Sequence, residues 1–155
     1  MKVSQKGIDL IKSFEGCRLK AYQDSAKIWT IGYGCIMYPS GNKVKEGEKC
    51  TQEEAEFYLK YEISLKSGPV NSFFSNIALT QNQFDAVVSF AYNCGVGALR
   101  KSTLLKKILV NPNDPSIELE FMKWTKAGGK EIQGLTKRRQ AESDLYFNVY
   151  YNKQP

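Results

Sequence analysis

The spacing of apolar positions changes twice along this chain and divides it into three parts. From Ser4 to Glu15, the residues Ile8, Ile11 and Glu15 recur at i, i+3 and i+7, which is one face of a helix. Ser4 can cap that helix and Gly16 can stop it. From residue 17 to about 50 the period shortens. The segment AYQDSAKIWTIGYG alternates bulky residues around a polar break at Ser25 to Lys27, which reads as a β-hairpin. A turn is expected at Pro39-Ser40-Gly41-Asn42, and a third strand near Lys43 to Glu46.

Beyond Thr51 the pattern is helical throughout. Thr51 with Glu54 and Thr80 with Gln83 are capping-box pairs opening two helices, the first ending at Gly68-Pro69 and the second at Gly95. Ser102 caps another helix through about Val110. A helix follows the NPNDP loop to about Thr125, Gly128-Gly129 breaks the chain, and a last helix covers roughly Leu135 to Val149. The pattern predicts an α+β architecture in one domain spanning 1–155. A small β-hairpin lobe covers about 17–50 and a bridging helix about 51–67. A larger helical lobe covers about 68–155 and takes in the N-terminal helix 4–15. The cleft between lobes would face the end of the first helix and the hairpin.

Composition narrows the chemistry by exclusion. The chain of 155 residues has no histidine, which rules out Ser-His-Asp and Cys-His catalysis and the His-ligated zinc sites of metallohydrolases. Acid and base work falls to Asp, Glu, Lys, Tyr or Cys. The four cysteines, Cys17, Cys35, Cys50 and Cys94, have no CxxC spacing, so they read as free thiols packing as small hydrophobes, and no metal or cofactor is expected. The net charge of +6 favours anionic partners such as nucleic acid, acidic membranes or cell-wall polymers. No stretch approaches the ~20 apolar residues of a membrane span. The N-terminus reads as a helix start rather than a signal peptide.

Two carboxylates stand out. Glu15 follows an apolar stripe at the C-terminal end of a helix, and both surroundings favour its neutral form, as a general acid requires. The alternative is a helix-end Glu turned to water. Asp24, in the hairpin turn beside Ser25, should be hydrated and ionised, although Asp at a turn often only bonds its own backbone. Thr30 shares a face with Asp24 if Tyr22 lies opposite Thr30, and taken alone it is an ordinary strand residue. One carboxyl kept protonated and one kept ionised are what glycosidic-bond hydrolysis needs. Gly32 and Gly34 would let a ligand approach the backbone or would mark a bend. Trp29, Tyr22, Tyr33 and Tyr92 can stack on sugar rings or fill a core.

The order Glu15, Asp24, Thr30 and then Ile31-Gly32-Tyr33-Gly34 resembles the catalytic segment of phage-type lysozymes (endolysins). Two more blocks continue the likeness in the same order, LTQNQFDAVVSFAYNCGVGALRKSTLLKKI at 79–108 and FMKWTKAGGKEIQGLTKRRQAESDL at 121–145. The resemblance implies a lysozyme-like fold and cleavage of the β-1,4 bond between N-acetylmuramic acid and N-acetylglucosamine in peptidoglycan, for lysis of a bacterial host. It implies Glu15 as acid, with Asp24 and Thr30 holding the nucleophilic water. It implies a saccharide cleft lined by Ile36, Tyr92, Thr103 and Thr125, and Arg138 beside Glu15. It further implies a monomer that needs no cofactor, binds no nucleic acid and inserts in no membrane, held in the host cytoplasm until release to the wall. Two positions depart from the family: Cys35 where His is usual, and Thr125 where Asn usually follows the tryptophan. The competing readings are a lytic transglycosylase, for which Asp24 and Thr30 would have no task, and a non-catalytic polyanion-binding domain.

Overall fold

The computed structural model describes residues 1–149; the last six residues of the expected helical lobe, 150–155, lie outside the described residues. Helix α1, Gln5–Glu15, begins where Ser4 Oγ accepts from the Gly7 amide and ends at Gly16, whose φ of 64° a Cβ would strain. Strands β1, Arg18–Gln23, and β2, Trp29–Gly32, pair antiparallel with Tyr22 opposite Thr30. The expected strand at 43–46 is absent among the described residues. A turn at Lys45 to Glu48 delivers residues 48–50 to the free edge of β1 instead, through Ala21 N to Glu48 O at 2.9 Å and Cys50 N to Leu19 O at 2.9 Å. Lys43 keeps only an isolated bridge to Met37.

Helix α2, Gln52–Phe73, opens on the expected capping box but does not stop at Gly68-Pro69. Continuation seats Val70, with no exposure, and Phe74 in the core, while Gly68 and Pro69 face solvent. The hydrogen bond that proline cannot make lies on the wet side, where water can replace it. Helix α3, Gln81–Cys94, is the central element and is buried along most of its length. A short helix α4, Val96–Lys101, which the sequence pattern leaves unassigned, leads to α5, Thr103–Val110. Helix α6 covers only Ile117–Phe121, not the run to Thr125. The chain turns there because Phe121 and Trp124 both set their rings edge-on against Phe90, with centroids 6.1 and 5.3 Å away. A two-strand hairpin follows, β3 at Lys126–Ala127 and β4 at Lys130–Glu131. Gly128 and Gly129, at φ 59° and 79°, make its turn rather than a plain break. The last helix, α7, is Gln133–Tyr146.

Two hydrophobic clusters result. Ala21, Ile31, Cys35 and Val44 form a small one inside the hairpin lobe, against which Tyr58 of α2 packs. The large one joins α1, α2, α3 and the later helices, and takes Ala55, Leu59, Ile63 and Val70 from α2. One helix thus carries side chains into both. This is an α+β arrangement, with a small hairpin lobe and a larger helical lobe sharing α2.

Candidate active site

Glu15 is the last residue of α1, and its side chain is 22% exposed. Ile11, one turn earlier, is wholly buried and anchors that face of the helix. Arg138 of α7 donates from Nη1 to Glu15 Oε1 at 2.7 Å. The guanidinium is itself enclosed: Nε reaches Glu142 Oε2 at 3.3 Å and Nη2 reaches Ser89 O at 3.3 Å. Glu142, with no exposure, also accepts from Arg139 Nε at 2.6 Å and from Ser89 Oγ at 2.5 Å. A buried ion network therefore locks α7 to α3 and ends on Glu15. The other carboxylate oxygen has no protein partner among the described residues. It faces Gly34, where a Cβ would lie 3.8 Å from Oε2 and where φ is +85°. Bare backbone keeps that oxygen approachable.

Glu15 opens into a cleft of about 290 Å³. Tyr33, Gly34 and Ile36 border it from the hairpin side, Tyr92 and Asn93 from the end of α3, and Glu62 and Lys66 from α2. Burial, joined by the Glu15 and Glu62 carboxylates, pushes the Tyr92 hydroxyl far above the usual tyrosine range. Lys66 sets Nζ 4.3 Å from the centre of the Tyr92 ring and donates to the Tyr92 carbonyl at 3.5 Å. Sequence reasoning missed Glu62 and Lys66. Their i, i+4 spacing beside the apolar face of α2 is the pattern of any surface ion pair, and only the closure of α2 onto α3 turns it toward a cleft.

Asp24 and Thr30 stand on the hairpin and do not line that cleft. Asp24 Oδ1 accepts from the Ala26 and Ile28 amides at 2.8 and 2.9 Å, so the local turn bond and a fixed carboxylate orientation coexist. Oδ2 has no protein partner among the described residues. Thr30 is 3% exposed and donates its hydroxyl proton to Ile28 O at 2.9 Å. Of the other sugar-binding candidates, Ile36 and Tyr92 line the cleft, whereas Thr103 and Thr125 do not. Thr103 is exposed at the start of α5. Thr125 is buried and donates to Glu131 Oε1 at 2.9 Å.

All four cysteines are free thiols. Cys17 is exposed, which corrects the reading of every cysteine as a packed hydrophobe. It follows the Gly16 stop directly, at a surface bend. Cys35, at the position where His is usual, is buried with its thiol donating to Met37 O at 3.2 Å, and burial pushes it up to about 11.

A carboxylate at a helix end, braced by a buried arginine, thus opens onto a cleft bordered by the hairpin, α2 and α3. Residues 12–142 match the phage lysozyme family model. The chain belongs to the phage lysozyme family. The endolysin of Acyrthosiphon pisum secondary endosymbiont phage 1 is 44% identical to it over 150 residues, 94% of this chain and 98% of that protein. Against the endolysins of Bacillus phages B103 and PZA, this phage lysozyme spans about half of their length, 54% and 55%. Among solved structures, the endolysin from Escherichia coli O157:H7 phage FAHEc1 superposes with a TM-score of 0.87 at 40% identity, covering 96% of this chain and 95% of that one. The muramidase domain of SpmX from Asticaccaulis excentricus superposes with a TM-score of 0.80 at 34% identity, covering 94% and 97%. This phage lysozyme is a glycoside hydrolase that lyses peptidoglycan. Among its described residues no helix is long and apolar enough to cross a membrane.

Proposed function

We propose that this phage lysozyme cleaves the β-1,4 bond between N-acetylmuramic acid and N-acetylglucosamine by a single displacement that inverts the anomeric carbon. The observation that carries the reading is the division of labour between the two oxygens of Glu15. Oε1 is committed to Arg138 at 2.7 Å, and Oε2 stands beside Gly34 without a protein partner among the described residues. A proton on Oε2 can pass to the leaving oxygen as the glycosidic bond breaks. Asp24 and Thr30 suit the other half of the reaction. Asp24 keeps Oδ2 free to accept, and Thr30, having spent its proton on Ile28 O, offers a lone pair. A water that donates one hydrogen to each presents its own lone pair to the anomeric carbon. As the new carbon–oxygen bond forms, Asp24 takes the water's proton and Glu15 supplies the leaving group's.

In this reading Ile36 and Tyr92, which line the cleft, contact the saccharide, and both lobes act as one domain. The protein works as a monomer, and it waits in the host cytoplasm before reaching the wall. Digestion of purified peptidoglycan tests it. Free reducing ends with the α-anomer formed first, seen by NMR before mutarotation, are the expected products. Anhydro-sugars would mean transglycosylation, and a first-formed β-anomer would mean retention with Asp24 as nucleophile. Glu15→Gln should fold normally and lose about 10²–10⁴ in rate or more. A folded variant lysing at a tenth of the wild-type rate would remove Glu15 from the reaction.

A further inference from the structure

We propose that Glu62 and Lys66 form a dipolar receptor in the catalytic cleft for the ionised groups of the substrate's peptide stem, Lys66 taking a carboxylate and Glu62 an ammonium. This rests on the muramidase reading above and deepens it by naming what the enzyme recognises besides sugar.

The two residues are one helical turn apart on α2, and both line the cleft that holds Glu15. With Glu four positions before Lys, the spacing is the one at which a helix normally closes an ion pair. It is not closed here. No Lys66 nitrogen lies within 4.0 Å of a carboxylate oxygen among the described residues. The ammonium rests instead over the Tyr92 ring at 4.3 Å and against the Tyr92 carbonyl at 3.5 Å. Glu62 has neither an ion-pair nor a hydrogen-bond partner among the described residues. A cation held by a ring face and one carbonyl keeps donor capacity for an incoming anion. Separated opposite charges on the wall of a part-enclosed cleft suit a ligand that carries both signs.

The glycan backbone does not carry them: its hydroxyls and acetamides are neutral, and the muramic lactyl carboxyl is tied up as an amide while the stem is attached. The ions of peptidoglycan sit on the stem attached to the muramic lactyl group, which bears free carboxylates and, at a diamino residue, a free ammonium. Tyr92 links the receptor to the reaction, because the side chain that supports Lys66 borders the same cleft as Glu15.

The test compares two soluble substrates: glycan chains bearing their stems, and the same chains after an amidase has removed them and the lactyl carboxylate so freed has been capped as its neutral methylamide. Wild type should cut the stem-bearing chains with higher kcat/KM. Lys66→Met and Glu62→Gln should each lose about 3–10-fold in kcat/KM on stem-bearing chains, through KM with kcat unchanged. Neither should lose activity on stem-free chains. Lys66→Arg should restore most of the preference, and added salt should erode it in wild type more than in Lys66→Met. Because both side chains are only half-buried and form no ion pair among the described residues, both variants are expected to keep the wild-type melting temperature. Equal losses on both substrates would make the pair a shaper of the cleft and overturn the proposal. So would unchanged kinetics on both. Wild type that released no reducing ends from either substrate would instead overturn the muramidase reading, and the two failures are thus separable.

Discussion

At the scale of single residues, burial decides behaviour that residue type leaves open. Cys17 and Cys35 are both free thiols, yet one is exposed and the other is enclosed, 4% exposed, under the hairpin. The Cys35 thiol ordinarily ionises near 9, and burial raises it to about 11 in the folded protein. A raised value means the folded state holds the neutral form more tightly than the unfolded chain does. The resulting stability is complete below about pH 9 and is lost as pH rises through about 11. The melting-temperature difference between wild type and Cys35→Ala should therefore be constant near neutrality and narrow between those values. A difference that held constant to pH 11 would show that this thiol does not ionise there. At pH 7, a thiol-labelling reagent should modify Cys17 well before Cys35.

At the scale of elements, the helix starts are local and the helix ends are not. Ser4, Thr51, Thr80 and Ser102 each cap a helix through a side chain bonded to a backbone amide three residues on, so the signal lies within one short window. Pro69 reads as a stop by the same local logic and fails, because the core beyond it holds Val70. Helix α6 is short for a similar reason, since its stability comes from contacts outside it. Glu120 on α6, its side chain 5% exposed, meets Lys107 of α5 at 3.1 Å and Lys123 at 2.9 Å. Burial opposes its ionisation, but the bonds from Lys123 and Lys107 outweigh that and hold the carboxyl below its ordinary value. A lowered value contributes stability above pH 4.5 that is lost as pH falls. Glu120→Gln should cost about 1–3 kcal/mol near neutrality in urea unfolding, and the gap to wild type should close in acid. A gap that persisted at pH 3 would mean that shape, not charge, sets the cost.

At the scale of the molecule, the network of Arg138, Arg139, Glu142 and Ser89 is the main polar tie between α3 and α7, and it braces Glu15 from behind. Glu142 is the shared acceptor and has no exposure. Its removal leaves buried Arg139 without a carboxylate, held by Asn93 Oδ1, Cys94 Sγ and the Trp124 carbonyl, and leaves Arg138 with Glu15 and the Ser89 carbonyl. Glu142→Ala should lose about 3–5 kcal/mol, which in a domain of this size corresponds to roughly 6–20 °C in Tm. A drop under 2 °C in calorimetry would show that the remaining acceptors suffice for both arginines. The same network shows how the geometry of the candidate site depends on distant sequence: Glu15 ends α1, and its brace, Arg138, lies 123 residues later on α7.

What the sequence determined by itself is what short-range chemistry encodes. The caps, the hairpin, and the family likeness in three ordered blocks all lie in contiguous stretches, while the register that sets Tyr22 opposite Thr30 came from the folded structure. They suffice for an α+β lysozyme-like fold and for Glu15, Asp24 and Thr30 as candidates. Tertiary structure decided the rest. The two-residue strands around Gly128-Gly129 are too short for any periodicity to announce. The pairing of residues 48–50 with β1 depends on a turn that could have released the chain elsewhere. Glu62 and Lys66 became cleft residues because α2 closed on α3, setting Lys66 on the ring of a tyrosine 26 positions away. Contacts of that range depend on which faces the whole core buries, and a local pattern of polar and apolar residues does not contain that information.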